Sequence, residues 1–270
     1  MYHTSYPRSI AYMSFQSTIY YLREYFFPTG CGCCGKALGH ADARFGLCEK
    51  CRTAFGLALV IGRRCRYCGK PLITEKENCL SCREKKAAEI NQYDGHVKRL
   101  RLLFPYVGKF RTALGAFKFE RATGLGIFFA YCLSLSLEAF GLQALEPEAL
   151  EKTAWVPVPP RPGKIRRQGW DQVEFLAKLL DKAGGFAIGR TFRPPVKRCL
   201  KRLPSKSQKL LNREERLANL SGRICCVKKP PETAILFDDV MTTGATIDAC
   251  AAALLGKGAK RVYAVCLFYR

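Results

Sequence analysis

Ala234-Ile-Leu-Phe-Asp-Asp-Val-Met-Thr-Thr-Gly-Ala-Thr246 is an apolar run that ends in two adjacent carboxylates and then in a small, hydroxyl-rich loop. An apolar run of this length suits a fully buried strand, and the Ala-rich segment Ile247 to Leu255, stopped by Gly256 and Gly258, suits a helix. The loop therefore opens a helix. Backbone N–H groups at a helix start lack intrahelical partners and carry partial positive charge. Thr242, Thr243 and Thr246 add hydroxyl donors there, and Gly244 lets the chain pass close to a ligand. That combination fits a phosphate. Asp238 and Asp239 fall at the carboxyl end of the strand, where open α/β sheets bind ligands. Like charge excludes them as phosphate ligands, but a carboxylate offers paired acceptors to sugar hydroxyls.

Upstream, Trp155-Val-Pro-Val-Pro159 reads as a short strand whose prolines end its pairing, followed by Arg161, Lys164, Arg166 and Arg167 around Gly163. Such a basic loop can bind pyrophosphate through Lys164, Arg166 and Arg167. Gly169-Trp-Asp-Gln172 then leads into Val173, Leu176, Ala177 and Leu180, the i, i+3, i+4, i+7 face of an amphipathic helix. Between Val97 and Phe140 apolar residues recur at mixed helical spacing, as helices packed on a sheet require. Lys118 stands there among apolar neighbours, placed either to reach a phosphate or to extend to solvent. From Arg193 to Lys209 there are seven basic residues and no acidic one, and Pro194, Pro195 and Pro204 break regular structure. The expectation is a mobile basic segment, with Arg198, Lys201, Arg202, Lys206 and Lys209 as candidate contacts to nucleic acid. Trp170 and Phe192 stand beside the basic loops, either as base-stacking rings or as core. Gln208, Arg216 and Asn219 mark a loop folding into a helix.

Nine of the fifteen cysteines lie between Cys31 and Cys82, and eight form four C-x-x-C pairs: Cys31/Cys34, Cys48/Cys51, Cys65/Cys68 and Cys79/Cys82. Each such turn brings two thiolates to one side of a metal, and two turns complete a tetrahedral shell of four thiolates with no open position. Four turns therefore imply two structural Zn2+ sites. Spacing leaves two pairings open, consecutive turns sharing a metal or a cross-braced arrangement of first with third. Cys33 could stand in for Cys31 or Cys34, although only the latter two give the two-residue gap. Gly35 and Gly69 follow the first and third turns, where the backbone must bend under the metal. Cys132, Cys199, Cys225, Cys226, Cys250 and Cys266 are scattered in apolar or mixed contexts and read as ordinary residues.

A chain of 270 residues buries a full core in one or two domains. Lys and Arg number 45 against 22 Asp and Glu, a net charge of +23, so polyanions are natural partners. Residues 161–229 hold 19 basic and 5 acidic residues, which aims most of that excess at the two ligand loops. No signal-peptide pattern opens the chain, and its most apolar stretch, Gly124 to Leu137, is too short to cross a bilayer. The expectation is a protein with no membrane span, located in the reducing cytoplasm. Three parts are expected: residues 1–30 as an N-terminal segment with a short helix, 31–88 as a double zinc-knuckle domain, and 89–270 as an α/β domain with a parallel sheet flanked by helices.

The run from Ala234 to Thr246 resembles the 5-phosphoribosyl-1-pyrophosphate (PRPP) motif of type I phosphoribosyltransferases. That resemblance implies Asp238 and Asp239 on the ribose hydroxyls, Met241, Thr242, Thr243, Gly244, Ala245 and Thr246 around the 5′-phosphate, and Mg2+ with PRPP. Together with the cysteine turns, the Pro157-Val-Pro159 loop, Gly169-Trp-Asp-Gln172 and Gln208/Arg216/Asn219, residues 31–270 resemble the ComF family. Asp171, Gln168 and Pro160 depart from its usual pattern. The family resemblance implies an N-terminal zinc module on a type I phosphoribosyltransferase fold, and a cytoplasmic role with single-stranded DNA and protein partners in DNA uptake during natural transformation. It implies a transferase whose acceptor is unknown. A non-catalytic binder of single-stranded nucleic acid and a PRPP-sensing regulator are the alternatives on the same fold.

Overall fold

The computed structural model describes residues 29–60, 63–65, 68–72, 74–80, 82–83, 96–140, 147–182, 193–204 and 223–270. The segment expected as an N-terminal helix, the boundary at 88/89, and Phe192, Lys206, Gln208, Lys209, Arg216 and Asn219 lie outside the described residues. The frame is a four-stranded parallel sheet with order β1-β6-β5-β2, formed by β1 (Arg99–Pro105), β2 (Thr153–Pro157), β5 (Thr233–Met241) and β6 (Arg261–Tyr269). The sequence quoted above is one of its two central strands. In β6 the seven residues from Val262 to Phe268 are all buried, as helices on both faces of a parallel sheet demand.

Period-two alternation sorts the strand side chains between two cores. Ile235, Phe237, Val265 and Leu267 face one layer with Trp155, and Ala234, Leu236, Val262 and Ala264 face the other with Val156. The first layer contains α3 (Gly108–Phe119), α4 (Thr123–Leu135) and α7 (Gln172–Asp181). In α7 the expected face is the buried one: Val173, Leu176, Ala177 and Leu180. The apolar stretch around residues 124–137 is α4, which buries Leu125, Phe128, Phe129 and Leu133 inside this layer. Each such fully buried side chain contributes about 1.5–3 kcal/mol relative to exposure.

The second layer is α8 (Ala245–Leu255), flanked by a short antiparallel pair of β3 (Leu200–Arg202) and β4 (Ile224–Cys226). The basic segment after Arg193 was expected to carry no regular element, yet Leu200 to Arg202 pairs with Cys226 to Ile224. Its prolines fall outside the paired residues, and Cys199 and Leu200 supply apolar contacts to the second layer, so tertiary packing decides where local breakers did not.

The cysteine-bearing region joins the first layer. Its helices α1 (His40–Ala43) and α2 (Glu49–Val60) follow the first C-x-x-C turn, and Leu38, Leu47, Cys48, Cys51 and Phe55 belong to the same buried cluster as Phe104, Phe117 and Phe129. Phe55 is fully buried among the rings of Phe104, Phe110, Phe128 and Phe129. The third turn lies against the outer edge of β1. Gly69 has φ 68°, and a Cβ there would stand 2.2 Å from the Leu100 carbonyl oxygen. Arg64 donates to the carbonyls of Leu102 in β1, Gly69 and Ala58 in α2. The opposite edge is covered too: the Trp155 N–H donates to Pro195, and the Lys197 N–H donates to Trp155.

Along the chain α5 (Pro147–Glu151) precedes β2, and α6 (Lys164–Gln168), with no buried residue, forms within the basic stretch expected as a loop. Among the described residues no helix is long and apolar enough to cross a membrane.

Candidate functional site

The carboxyl ends of β2 and β5, the loop opening α8, and α6 enclose a cavity of about 640 Å³. Burial along β5 relaxes where it reaches the site, from five fully buried residues to partly exposed Asp238, Asp239 and Val240. The Asp239 N–H donates to Asp238 Oδ1 at 2.8 Å, which fixes the first carboxylate beside the second. Burial, then the neighbouring Asp239 charge, raise the Asp238 pKa well above the usual carboxylate range. Cys250 and Cys266 behind it are pushed up by burial first and by Asp238 next, which keeps both as neutral thiols.

The hydroxyl-rich loop forms as expected. Gly244 takes φ 83°, a left-handed turn that only glycine adopts without strain, and α8 begins at the next residue. Thr242, Thr243, Ala245 and Thr246 line the cavity, and the Thr243 hydroxyl accepts from the Ala245 N–H at 3.5 Å. Met241 is the last residue of β5, and its side chain is buried in the layer shared with α8.

Lys118 closes the opposite wall. Its ammonium lies 2.7 Å from Asp239 Oδ2, with side-chain exposures of 24% and 13%. Neither expectation for this lysine, a phosphate or open solvent, describes that contact. The signal in the sequence was a single cation in an otherwise apolar helix face; what it lacked was a partner 121 positions away in the chain. Gln172 Nε2 donates to the Lys118 carbonyl at 3.3 Å, and Gln172 Oε1 accepts from Lys164 Nζ at 2.6 Å. Lys164 also donates to Asp171 Oδ2 at 2.6 Å, while Asp171 Oδ1 caps α7 by accepting from the Glu174 N–H. The Gly169-Trp-Asp-Gln172 turn is thus the brace that ties α6 to α3.

Of the three residues expected on pyrophosphate, Lys164 and Arg167 line the cavity, Lys164 already holding Asp171, whereas Arg166 is exposed on α6 and absent from the lining. Arg161 and Arg202 add two further guanidinium groups to the wall. Burial, then the Arg161 charge, lower the Arg202 pKa, and its Nε is buried with no hydrogen-bond partner. Among the other residues expected on nucleic acid, Lys201 is exposed, and Arg198 is engaged with Glu174 at 2.9 Å and Asp181 at 3.5 Å. Trp170 packs its ring on Phe117 and Phe175, which makes it part of the core margin.

The eight C-x-x-C cysteines form two groups, Cys31/Cys34/Cys48/Cys51 and Cys65/Cys68/Cys79/Cys82, so consecutive turns pair. Within each group the sulfur atoms lie within 4.8 Å of one another. A tetrahedral shell with Zn–S near 2.3 Å has sulfur–sulfur edges of about 3.8 Å. Cys34 and Cys48 stand 3.8 Å apart, and Cys68 and Cys79 stand 3.6 Å apart. Cys33 stays outside, donating to the Lys109 carbonyl, and burial pushes its thiol up to about 12. Burial raises Cys82 to about 12 and lifts Cys51 and Cys68 as well, so four ionised sulfurs in either group require a cation among them. Both groups could hold a metal ion such as zinc, with all four positions filled by protein. At Cys31 backbone N–H donors led by Cys48 outweigh burial and bring the thiol down to about 7.

No protein-family model matches the chain, and no curated protein matches it.

Proposed function

We propose that the cavity binds a phosphoribosyl group, PRPP with Mg2+, and that the chain is a phosphoribosyltransferase-type protein of the ComF kind acting in the cytoplasm on or with single-stranded DNA during DNA uptake. The observation that carries this reading is the adjacent Asp238 and Asp239 at the end of a buried parallel strand, directly followed by the Thr242 to Thr246 turn into α8, in a cavity whose other walls are cationic. The loop's N–H and hydroxyl groups suit the 5′-phosphate. The two carboxylates suit the ribose 2′- and 3′-hydroxyls. Arg161, Arg167 and Arg202 suit the pyrophosphate.

In the transfer reaction the bond from C1′ to the pyrophosphate oxygen breaks as an acceptor nucleophile bonds to C1′, and the electron pair leaves with pyrophosphate. Asp238 and Asp239 offset positive charge developing on the ribose ring, while the guanidinium groups receive the negative charge of the leaving group. A Mg2+ bound with the ligand beside Asp238 and Asp239 would neutralise part of that charge. Lys118 balances Asp239 before ligand arrives, which keeps two neighbouring carboxylates compatible with a folded site.

Calorimetric titration of Mg2+–PRPP into the wild-type chain and into Asp238→Asn/Asp239→Asn tests the reading. Saturable heat with the first and none with the second is the expected outcome. Absence of binding by the wild-type chain overturns it.

A further inference from the structure

Seven large hydrophobic side chains are exposed among the described residues, and two directly follow lysines that line the cavity: Phe119 after Lys118, and Ile165 after Lys164. Phe119, at 81%, is the most exposed of the seven. It ends α3, and the chain then turns through Arg121, which holds a left-handed φ of 55° and donates from Nη2 to the Gln168 carbonyl at 2.7 Å. Gln168 also lines the cavity. Phe119 is therefore carried on a rigid turn pinned at both sides to the cavity rim, where an unpacked aromatic ring serves nothing inside the fold. Cations outnumber anions around it: Glu120 follows Phe119 on the turn, against Arg121 on the same turn and Lys164, Arg166 and Arg167 on α6, a helix with no acidic residue.

An exposed ring at the mouth of a cationic cavity fits one ligand chemistry, a flat aromatic group joined to phosphate. We propose that Phe119 is the stacking platform for an unpaired nucleobase, with Arg121 and Arg166 taking the adjoining phosphates. Lys118, the residue before Phe119, is the one that reaches Asp239, so the platform ends the helix whose last turn enters the cavity, on the side from which an acceptor or a neighbouring nucleotide of a single strand would approach. This deepens the phosphoribosyl reading and rests on it for the identity of the cavity ligand. Trp170 does not fill the role, because its ring is spent on Phe117 and Phe175.

The test is fluorescence anisotropy with two labelled strands of about ten nucleotides, one of deoxythymidine and one abasic, which share their phosphates and differ only in bases. The wild-type chain is expected to prefer the thymidine strand by roughly five- to hundredfold, the range of one stacked base. Phe119→Ala should bind the thymidine strand no better than the abasic one, and Phe119→Trp should keep the preference. Because the ring is exposed, all three proteins should share one melting temperature and one affinity for the abasic strand. Equal binding of both strands by the wild-type chain, or a preference retained in Phe119→Ala, overturns the proposal. A thymidine monophosphate arm identifies the source: competition by the monophosphate assigns the platform to a free nucleotide, and its absence assigns it to a strand. A base preference in a chain that does not bind PRPP refutes the phosphoribosyl reading alone, and PRPP binding without a base preference refutes the platform alone.

Discussion

Replacing Phe55 by alanine removes a ring that four others surround, with centroids at 4.7 Å to Phe104, 4.7 Å to Phe110, 5.4 Å to Phe128 and 6.1 Å to Phe129. Phe55 is fully buried, and its partners sit on β1, α3 and α4, so they have no common direction in which to collapse. A buried Phe→Ala change costs about 3–5 kcal/mol, and a site that cannot relax falls at the upper end, about 4–5 kcal/mol. At about 2–4 °C per kcal/mol for a chain near this size, the melting temperature should fall by roughly 8–20 °C. The assay is thermal denaturation followed by circular dichroism, with a colorimetric dye reporting metal release in the same sample. One transition is expected, with metal release and loss of sheet signal moving down together, because the helix that follows Cys48 shares its core with the sheet. The proposed PRPP binding should be lost in that same transition, since α3 carries Lys118 to Asp239. A shift under about 3 °C, or a metal-release step that moves while the sheet transition stays, would refute the shared-core argument.

Two further outcomes follow from the electrostatics of the site and from the cysteine groups. The folded-state pKa of Asp238 is raised, so its contribution to stability is fully present below the ordinary carboxylate range and is lost as pH rises through the raised value. Asp238→Asn should therefore melt higher than the wild-type chain at neutral and alkaline pH, with the difference fading on acidification toward a pH of about 4, as scanning calorimetry across pH would record. Elemental analysis of the purified chain should give two zinc ions per molecule, and Cys65→Ser should lower that number while Cys33→Ser leaves it unchanged; equal losses in both variants would contradict the grouping.

The strand, turn and helix from Ala234 to Leu255 were readable because each level of the sequence agrees there: the apolar run, the paired carboxylates, the left-handed glycine and the Ala-rich helix. The amphipathic face of α7 was readable for the same reason. Lys118 was not, because a lone lysine in a helix fits solvent as well as any ligand, and only the seating of α3 in the first layer brings it to Asp239. The pairing of the cysteine turns was equally hidden, since spacing sets the bite of each turn but not which turn it faces. Arg161 and Arg202 reach the cavity from separate elements, and a count of basic residues could not separate them from the exposed Arg166. An aromatic at the end of an apolar run, such as Phe119, has the pattern of core, whereas its position at the end of α3 turns it outward.

A four-stranded open sheet has two outer strands, and each would present unsatisfied backbone groups to any other chain with a free strand. On one side this chain uses its own residues 195–197, hydrogen-bonded to both backbone groups of Trp155. On the other side the guard is the third cysteine turn, with Gly69 pressed on Leu100 and Arg64 on Leu102. The second cysteine group therefore does more than shape its own small unit. Its cysteines hold the turn that covers the backbone of β1, so a change in that unit reaches the edge of the sheet as well as its own fold.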